Sequence, residues 1–190
     1  MNSENKNNNM AKTKNPDYIV SYAAVLISQG KHRFYSLAMP SDTLAQTCFV
    51  STRYDDPAEG FQRSLNKGRA KEIADYIDEG LGTIPTAIIL SAQEESDFEY
   101  NSSTKTLSFK RVPKAFLILD GQHRVYGFTL ANTAVRVPVI IYNGLSRRDE
   151  TRLFIDINTK QRPVPNELLL DIKSLAEYEN DLEAILREVF

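Results

Sequence analysis

Leu117-Ile118-Leu119-Asp120-Gly121-Gln122-His123-Arg124 decides the architecture. Five apolar residues, 115–119, are too few for a helix and suit a fully buried strand, and Asp-Gly ends that strand. Residues 122–131 have helical composition and follow at once, so a core strand turns directly into a helix. Working outward, residues 86–92 read as a second buried strand and residues 135–142 as a third. Upstream, residues 18–28 and 33–39 are rich in β-branched and aromatic side chains and flank Gln29-Gly30-Lys31-His32, a hairpin signal. A second hairpin joins residues 98–100 to 106–109, with Asn101-Ser102-Ser103 read as its polar tip rather than as a glycosylation triplet.

Helices alternate irregularly with these strands. Ser41 is placed to cap a short helix running through Cys48, and Tyr54 to Gly60 reads as a loop. Ile73 and Ile77 mark a helix over residues 68–78, stopped by Gly80 and Gly82. Ser146 with Asp149 forms a variant capping box for a helix through about residue 157, broken over residues 159–165 by two prolines. No internal repeat is present. Strands and helices in mixed order predict an α+β fold, a mixed sheet flanked by helices, with additional C-terminal helices opened by Asn166.

The chemistry is expected at the 120–124 turn. A strand-to-helix junction presents unpaired backbone N–H groups where the helix dipole favours an anion. Gly121 allows the tight turn and close approach of a ligand. Arg124 offers a bidentate fork to phosphate oxygens, His123 a donor or proton shuttle, and Gln122 a neutral hydrogen bond. A plain structural alternative stands beside this reading: Asp120 caps the helix, His123 is a satisfied buried histidine and Arg124 pairs with a neighbouring carboxylate.

Two further groups are candidates. Gln62, Arg63, Lys67 and Arg69 lead into a helix and supply a second phosphate-facing edge, or else a solvated face neutralised by Glu59 and Glu72. Asp156, Asn158, Thr159 and Gln161 crowd a helix end, where carboxylate and amide oxygens suit a hard cation, a water or a base edge, or simply cap the helix before Pro163. Arg147, Arg148 and Arg152, mixed with Asp149, Glu150 and Asp156, read as a solvent face.

The chain has 190 residues and a net charge of −2, from 23 Lys plus Arg against 25 Asp plus Glu. That fits one domain and gives no global positive field. Residues 166–190 carry −5, so any basic surface lies before residue 166, where the balance is +3. One cysteine, Cys48, excludes an intrachain disulfide framework and a Cys-rich zinc site, and two histidines argue against a His-rich metal site. Cys48 is expected to be a buried structural thiol. Residues 1–17, with six Asn and three Lys, read as a disordered tail without a secretory apolar segment. No run reaches the length needed to span a bilayer, and a cytoplasmic location is expected. The apolar stripe Leu182, Ile185, Leu186 and Val189 reaches Phe190 without a cap, which reads as the start of a helical region that continues further. No P-loop, Gly-x-Ser-x-Gly elbow or His-Glu-x-x-His helix occurs.

Asp120-Gly121-Gln122-His123-Arg124 resembles the name-giving motif of the DGQHR-domain family, and its setting is similar to the DndB proteins of DNA phosphorothioate modification systems. Gly60-Phe61-Gln62-Arg63, Ile73-Ala74-Asp75-Tyr76-Ile77, residues 84–90 and Phe154-Ile155-Asp156-Ile157-Asn158-Thr159-Lys160-Gln161 agree with that pattern, over most of residues 18–172. The resemblance extends to the ParB and sulfiredoxin superfamily, whose members hold phosphate of a nucleotide or of DNA at a comparable turn. It implies a ParB/sulfiredoxin-like domain over residues 18–165 and a role in binding DNA or nucleotide phosphate and regulating the modification genes, with DNA and other DNA modification proteins as partners and oligomers open. An alternative implication is a nucleotide hydrolase in which Asp120, His123 and Arg124 act on a nucleoside triphosphate with Mg2+. Sulfiredoxins place a cysteine before the histidine of this turn; here Gln122 stands there, which argues against thiol chemistry.

Overall fold

A computed structural model describes residues 18–51, 65–80 and 83–160. The expected tail over residues 1–17, the loop over 54–60, Gln62, Arg63, Gln161 and the helices after Asn166 lie outside these described residues. Eight strands form one sheet in the order β3-β7-β4-β8-β2-β1-β6-β5. They are β1 (Ile19–Gln29), β2 (His32–Pro40), β3 (Cys48–Phe49), β4 (Ile88–Ala92), β5 (Glu99–Asn101), β6 (Thr106–Lys110), β7 (Phe116–Asp120) and β8 (Arg136–Tyr142). The helices are α1 (Ser41–Thr47), α2 (Lys67–Asp78), α3 (Gln122–Leu130) and α4 (Arg147–Lys160). Parallel pairing of β4 with β8 and of β3 with β7, beside antiparallel pairing elsewhere, makes the sheet mixed and the class α+β. The chain divides into two compact units, residues 1–154 and 155–190; in the second, only the last turns of α4 are described.

Strand β7, second from one end of the sheet, is buried from Phe116 to Leu119, as its unbroken apolar run requires. Leu37, Met39, Leu90, Phe116, Ile118, Val139 and Ile141 form the core with Val125 and Phe128 of α3. At roughly 25 cal/mol per Å², such side chains supply most of the stability of this unit. Gly30, with φ +56 at the first central position of the β1–β2 turn, provides the left-handed conformation that a two-residue hairpin needs. At the β5–β6 tip Asn101 Oδ1 accepts from the amides of Ser103 and Thr104 at 3.0 and 3.1 Å, the polar tip expected there.

Four local expectations are corrected. Ser41 does not cap α1: it is the first helical residue, and its buried hydroxyl accepts from the Val135 amide at 3.1 Å, tying α1 to the segment before β8. Cys48 lies just past that helix, where it pairs with Phe116 as part of β3, because the exposed edge of β7 captures the extended backbone. The strand expected over residues 86–92 begins only at Ile88, because Thr86 is drawn aside by a side chain of α3 described below. Helix α4 runs on to Lys160, so Asn158 and Thr159 sit within it rather than beyond its end. The Ser146 capping box is present: its Oγ accepts from the Asp149 amide at 3.2 Å and donates to the Asp149 carboxylate at 2.6 Å.

Candidate anion site at the start of helix α3

The site begins where β7 ends. Asp120 pairs with Ile89 of β4, next to a register shift between Ile89 and Leu90 that opens the ladder. Gly121 then takes φ +96 and occupies the N-cap position of α3. A Cβ there would stand 2.7 Å from Ile88 Cδ1 and 3.1 Å from Arg124 Nη2, so glycine is required by both conformation and space. No side chain caps α3, so Asp120 is not the cap that the plain alternative gave it, although the pairing of Arg124 with a neighbouring carboxylate in that same alternative is present. The first-turn amides of Gln122, His123 and Arg124 therefore point out of the helix start without intrahelical partners, at the positive end of its dipole.

Asp120 instead binds Arg124, whose Nη2 donates to Asp120 Oδ2 at 2.7 Å. Arg124 Nη1 donates to the Thr86 carbonyl at 2.7 Å and to the Thr86 hydroxyl. Both terminal nitrogens are thus committed to protein partners, and the guanidinium staples α3 to the strand end and to the segment before β4. Burial lowers the Arg124 pKa from its ordinary value, Asp120 opposes that, and the positive charge of Arg69 adds to the lowering. The group remains cationic.

Helix α2 brings the second cation. Its start and that of α3 meet: the Asn66 amide donates to His123 Nε2 at 3.2 Å, while Asn66 Oδ1 accepts from the Arg69 amide at 3.2 Å as the N-cap of α2. At the far ends, Asp78 of α2 accepts from the amides of Asn132 and Thr133, just past α3, at 2.8 to 3.0 Å. These hydrogen bonds hold the Asp78 carboxyl below its ordinary value. The helices therefore run side by side in the same direction. They touch at Gly127, where a Cβ would come within 2.8 Å of Ile73 Cγ2 and 3.0 Å of the Ala70 carbonyl. Two parallel helices point their positive ends at one place.

His123 Nε2 acts as an acceptor, which fixes the neutral Nδ1–H tautomer. Burial lowers its pKa, and the charge of Arg69 lowers it further. Arg69 is exposed and forms no ion pair among the described residues, with Glu72 or any other carboxylate, yet its field reaches both His123 and Arg124. Gln122 Oε1 is buried without a hydrogen-bond partner. The junction thus collects three open amides, an uncommitted guanidinium and a neutral imidazole around one helix start. Helix-start amides, a guanidinium and an imidazole N–H are the donor types that suit an oxyanion.

The structure joins Arg69 to the 120–124 turn. Asp156 and Asn158 are exposed on α4, Thr159 is its penultimate residue, and they belong to the second unit. No group of three His, Cys, Asp or Glu side chains able to hold a metal occurs among the described residues. Arg147 is not on a solvent face as expected: it contacts the buried carboxylate of Glu150 at 3.3 Å and Ser51 Oγ at 2.6 Å, and Glu150 also accepts from Gln93 at 2.8 Å. Sequence reasoning missed Asn66 and Thr86. Asn immediately before a helical segment is a preferred N-cap type, a signal that could have found Asn66; nothing local marks Thr86.

Fold and site together define a mixed-sheet α+β domain in which the starts of α2 and α3 meet beside the 120–124 turn. The family model described as DndB, DNA-sulfur modification-associated, matches residues 22–189, and the chain belongs to that family. The chain matches no curated protein. A solved structure similar to it is the C-terminally truncated chromosome-partitioning protein ParB from Caulobacter crescentus complexed with CTP-gamma-S, 12% identical, covering 80% of this chain and 69% of that one, with a TM-score of 0.47.

Proposed function

We propose that this DNA-sulfur modification-associated protein binds backbone phosphate of DNA at the start of α3 and, through that contact, regulates the modification genes. The observation that carries the reading is the convergence of two parallel helix starts, beside an Arg69 guanidinium that has no carboxylate partner among the described residues. In this reading Gly121 gives access to the amides, Gln122 and His123 donate from their side chains, and Arg69 supplies the mobile charge. Arg124 holds the turn in shape, Arg63 adds a further cation and Gln62 a neutral hydrogen-bond donor. Residues 18–165 are the binding domain, and the protein acts in the cytoplasm with other modification proteins.

Binding of labelled duplex DNA across a salt series, beside phosphate release from ATP and CTP with Mg2+, tests this. Binding that weakens steeply with salt and without turnover is expected. Arg69→Ala should weaken binding uniformly across sequences and reduce the salt slope by about 1. Absence of DNA binding, or a salt slope identical in the wild type and Arg69→Ala, overturns the phosphate contact. Metal-dependent phosphate release would transfer the same site to the nucleotide hydrolase alternative, with Asp120 and His123 as the reacting groups.

A further inference from the structure

Strand β1 is paired with different neighbours along its length. Residues 19–23 pair with β6, and residues 24–29 pair with β2. On the β6 side, the last bond is from the Ala24 amide to the Lys105 carbonyl at 2.9 Å, after which the β5–β6 hairpin turns away. Among the described residues, nothing pairs with the outer edge of residues 25–29. Its polarity follows from the register. Gln29 and His32 close the two-residue turn as a hydrogen-bonded pair, so Ile27 and Val25 also bond towards β2. Leu26 and Ser28 consequently point their N–H and C=O groups outward, as Ala24 does, and no described hydrogen bond uses them.

Edges of this kind are normally blunted by charge, proline or shortness. The two terminal strands of the sheet obey that rule, being two and three residues long. Residues 25–29, Val-Leu-Ile-Ser-Gln, contain neither charge nor proline, and Val25 is 61% exposed. An uncharged edge gives a charged partner strand nothing to complement, and it meets no like charge when paired with itself. The open stretch is also bounded at one end by the turn after Gln29 and at the other by Lys105, so its length suits a copy of itself in antiparallel register.

We propose that the protein self-associates through this edge, with a twofold axis at Ile27. Leu26 then exchanges both main-chain bonds with the partner's Ser28, and Ile27 faces the partner's Ile27 as a non-hydrogen-bonded pair. Five residues a side are small beside the roughly 1,000 Å² of a stable interface, so association is concentration-dependent.

Sedimentation velocity of the full chain over a concentration series reads the equilibrium, and circular dichroism reads the fold. A dimer is expected. Ser28→Pro removes an outward N–H that the monomer does not use, and Val25→Lys places a charge on the edge; both should remain folded and shift to monomer. Ile27→Cys should form a covalent dimer on mild oxidation, because facing non-hydrogen-bonded positions bring their Cβ atoms within about 5.5 Å. A wild type that stays monomeric throughout, folded edge variants that still dimerise, or an Ile27→Cys protein that does not cross-link overturns the proposal. None of these readouts depends on DNA binding.

Discussion

His123 shows how one side chain reports on the site. Its ring accepts from the Asn66 amide, and burial and Arg69 both favour the neutral form in the folded protein. A histidine depressed in this way contributes stability that is complete above its unfolded pKa of 6.5 and is lost as pH falls from there through the folded value. Thermal midpoints should therefore drop on acidification in the wild type and less so in His123→Gln. By NMR titration, Arg69→Ala should raise the His123 pKa, since it removes one of the two causes of the depression, while leaving the midpoint near neutral pH unchanged. Arg124 behaves differently. Arg124→Ala leaves the Asp120 carboxylate and the Thr86 groups without their shared partner, and a destabilisation of about 1–3 kcal/mol is expected in denaturant unfolding. Arg124→Lys should not restore it, because a single ammonium cannot span both partners in the plane of a guanidinium. Loss of the turn in Arg124→Ala and loss of anion affinity in Arg69→Ala are thus separable effects.

Helices α2 and α3 form the element that makes the site. Gly127 sets how closely they approach, and Gly127→Ala drives a methyl group against Ile73 and the Ala70 carbonyl. A cost of about 1–3 kcal/mol in unfolding is expected from this overpacking, together with weaker anion binding as the two helix starts move apart. Gly121→Ala should cost about as much through backbone strain and contact with Ile88. These elements were largely legible in the sequence, because β7 and α3 are marked by an unbroken apolar run, an Asp-Gly break and helical composition in immediate succession. The hairpins around Gly30 and Asn101 were legible for the same reason: their turn chemistry is local. What escaped was non-local. Thr86 leaves its strand because of Arg124, 38 residues later, and Asn66 reaches His123 across 57 residues. Ser41 was misread as a cap because its hydroxyl serves Val135, 94 residues away. No helix or strand periodicity encodes such pairings.

At the scale of the whole molecule, net charge conceals the arrangement. A chain of −2 carries the exposed Arg69 guanidinium beside two positive helix ends, so the proposed binding should be local and strongly salt-dependent rather than diffuse. No described helix is long and apolar enough to cross a membrane. The chain's one cysteine gives this picture a practical consequence. Burial pushes the Cys48 thiol up to about 12, well above neutral pH, so it carries almost no thiolate. Native protein should react negligibly with a thiol-specific dye until it is denatured, when one equivalent should appear. On that expectation the half-buried Cys48 leaves the wild-type background silent to maleimide chemistry, which the dye reaction checks. A fluorophore or spin label attached through a new cysteine at exposed Lys67, one turn from the proposed phosphate, would watch a ligand arrive without any need to replace the native sulfur.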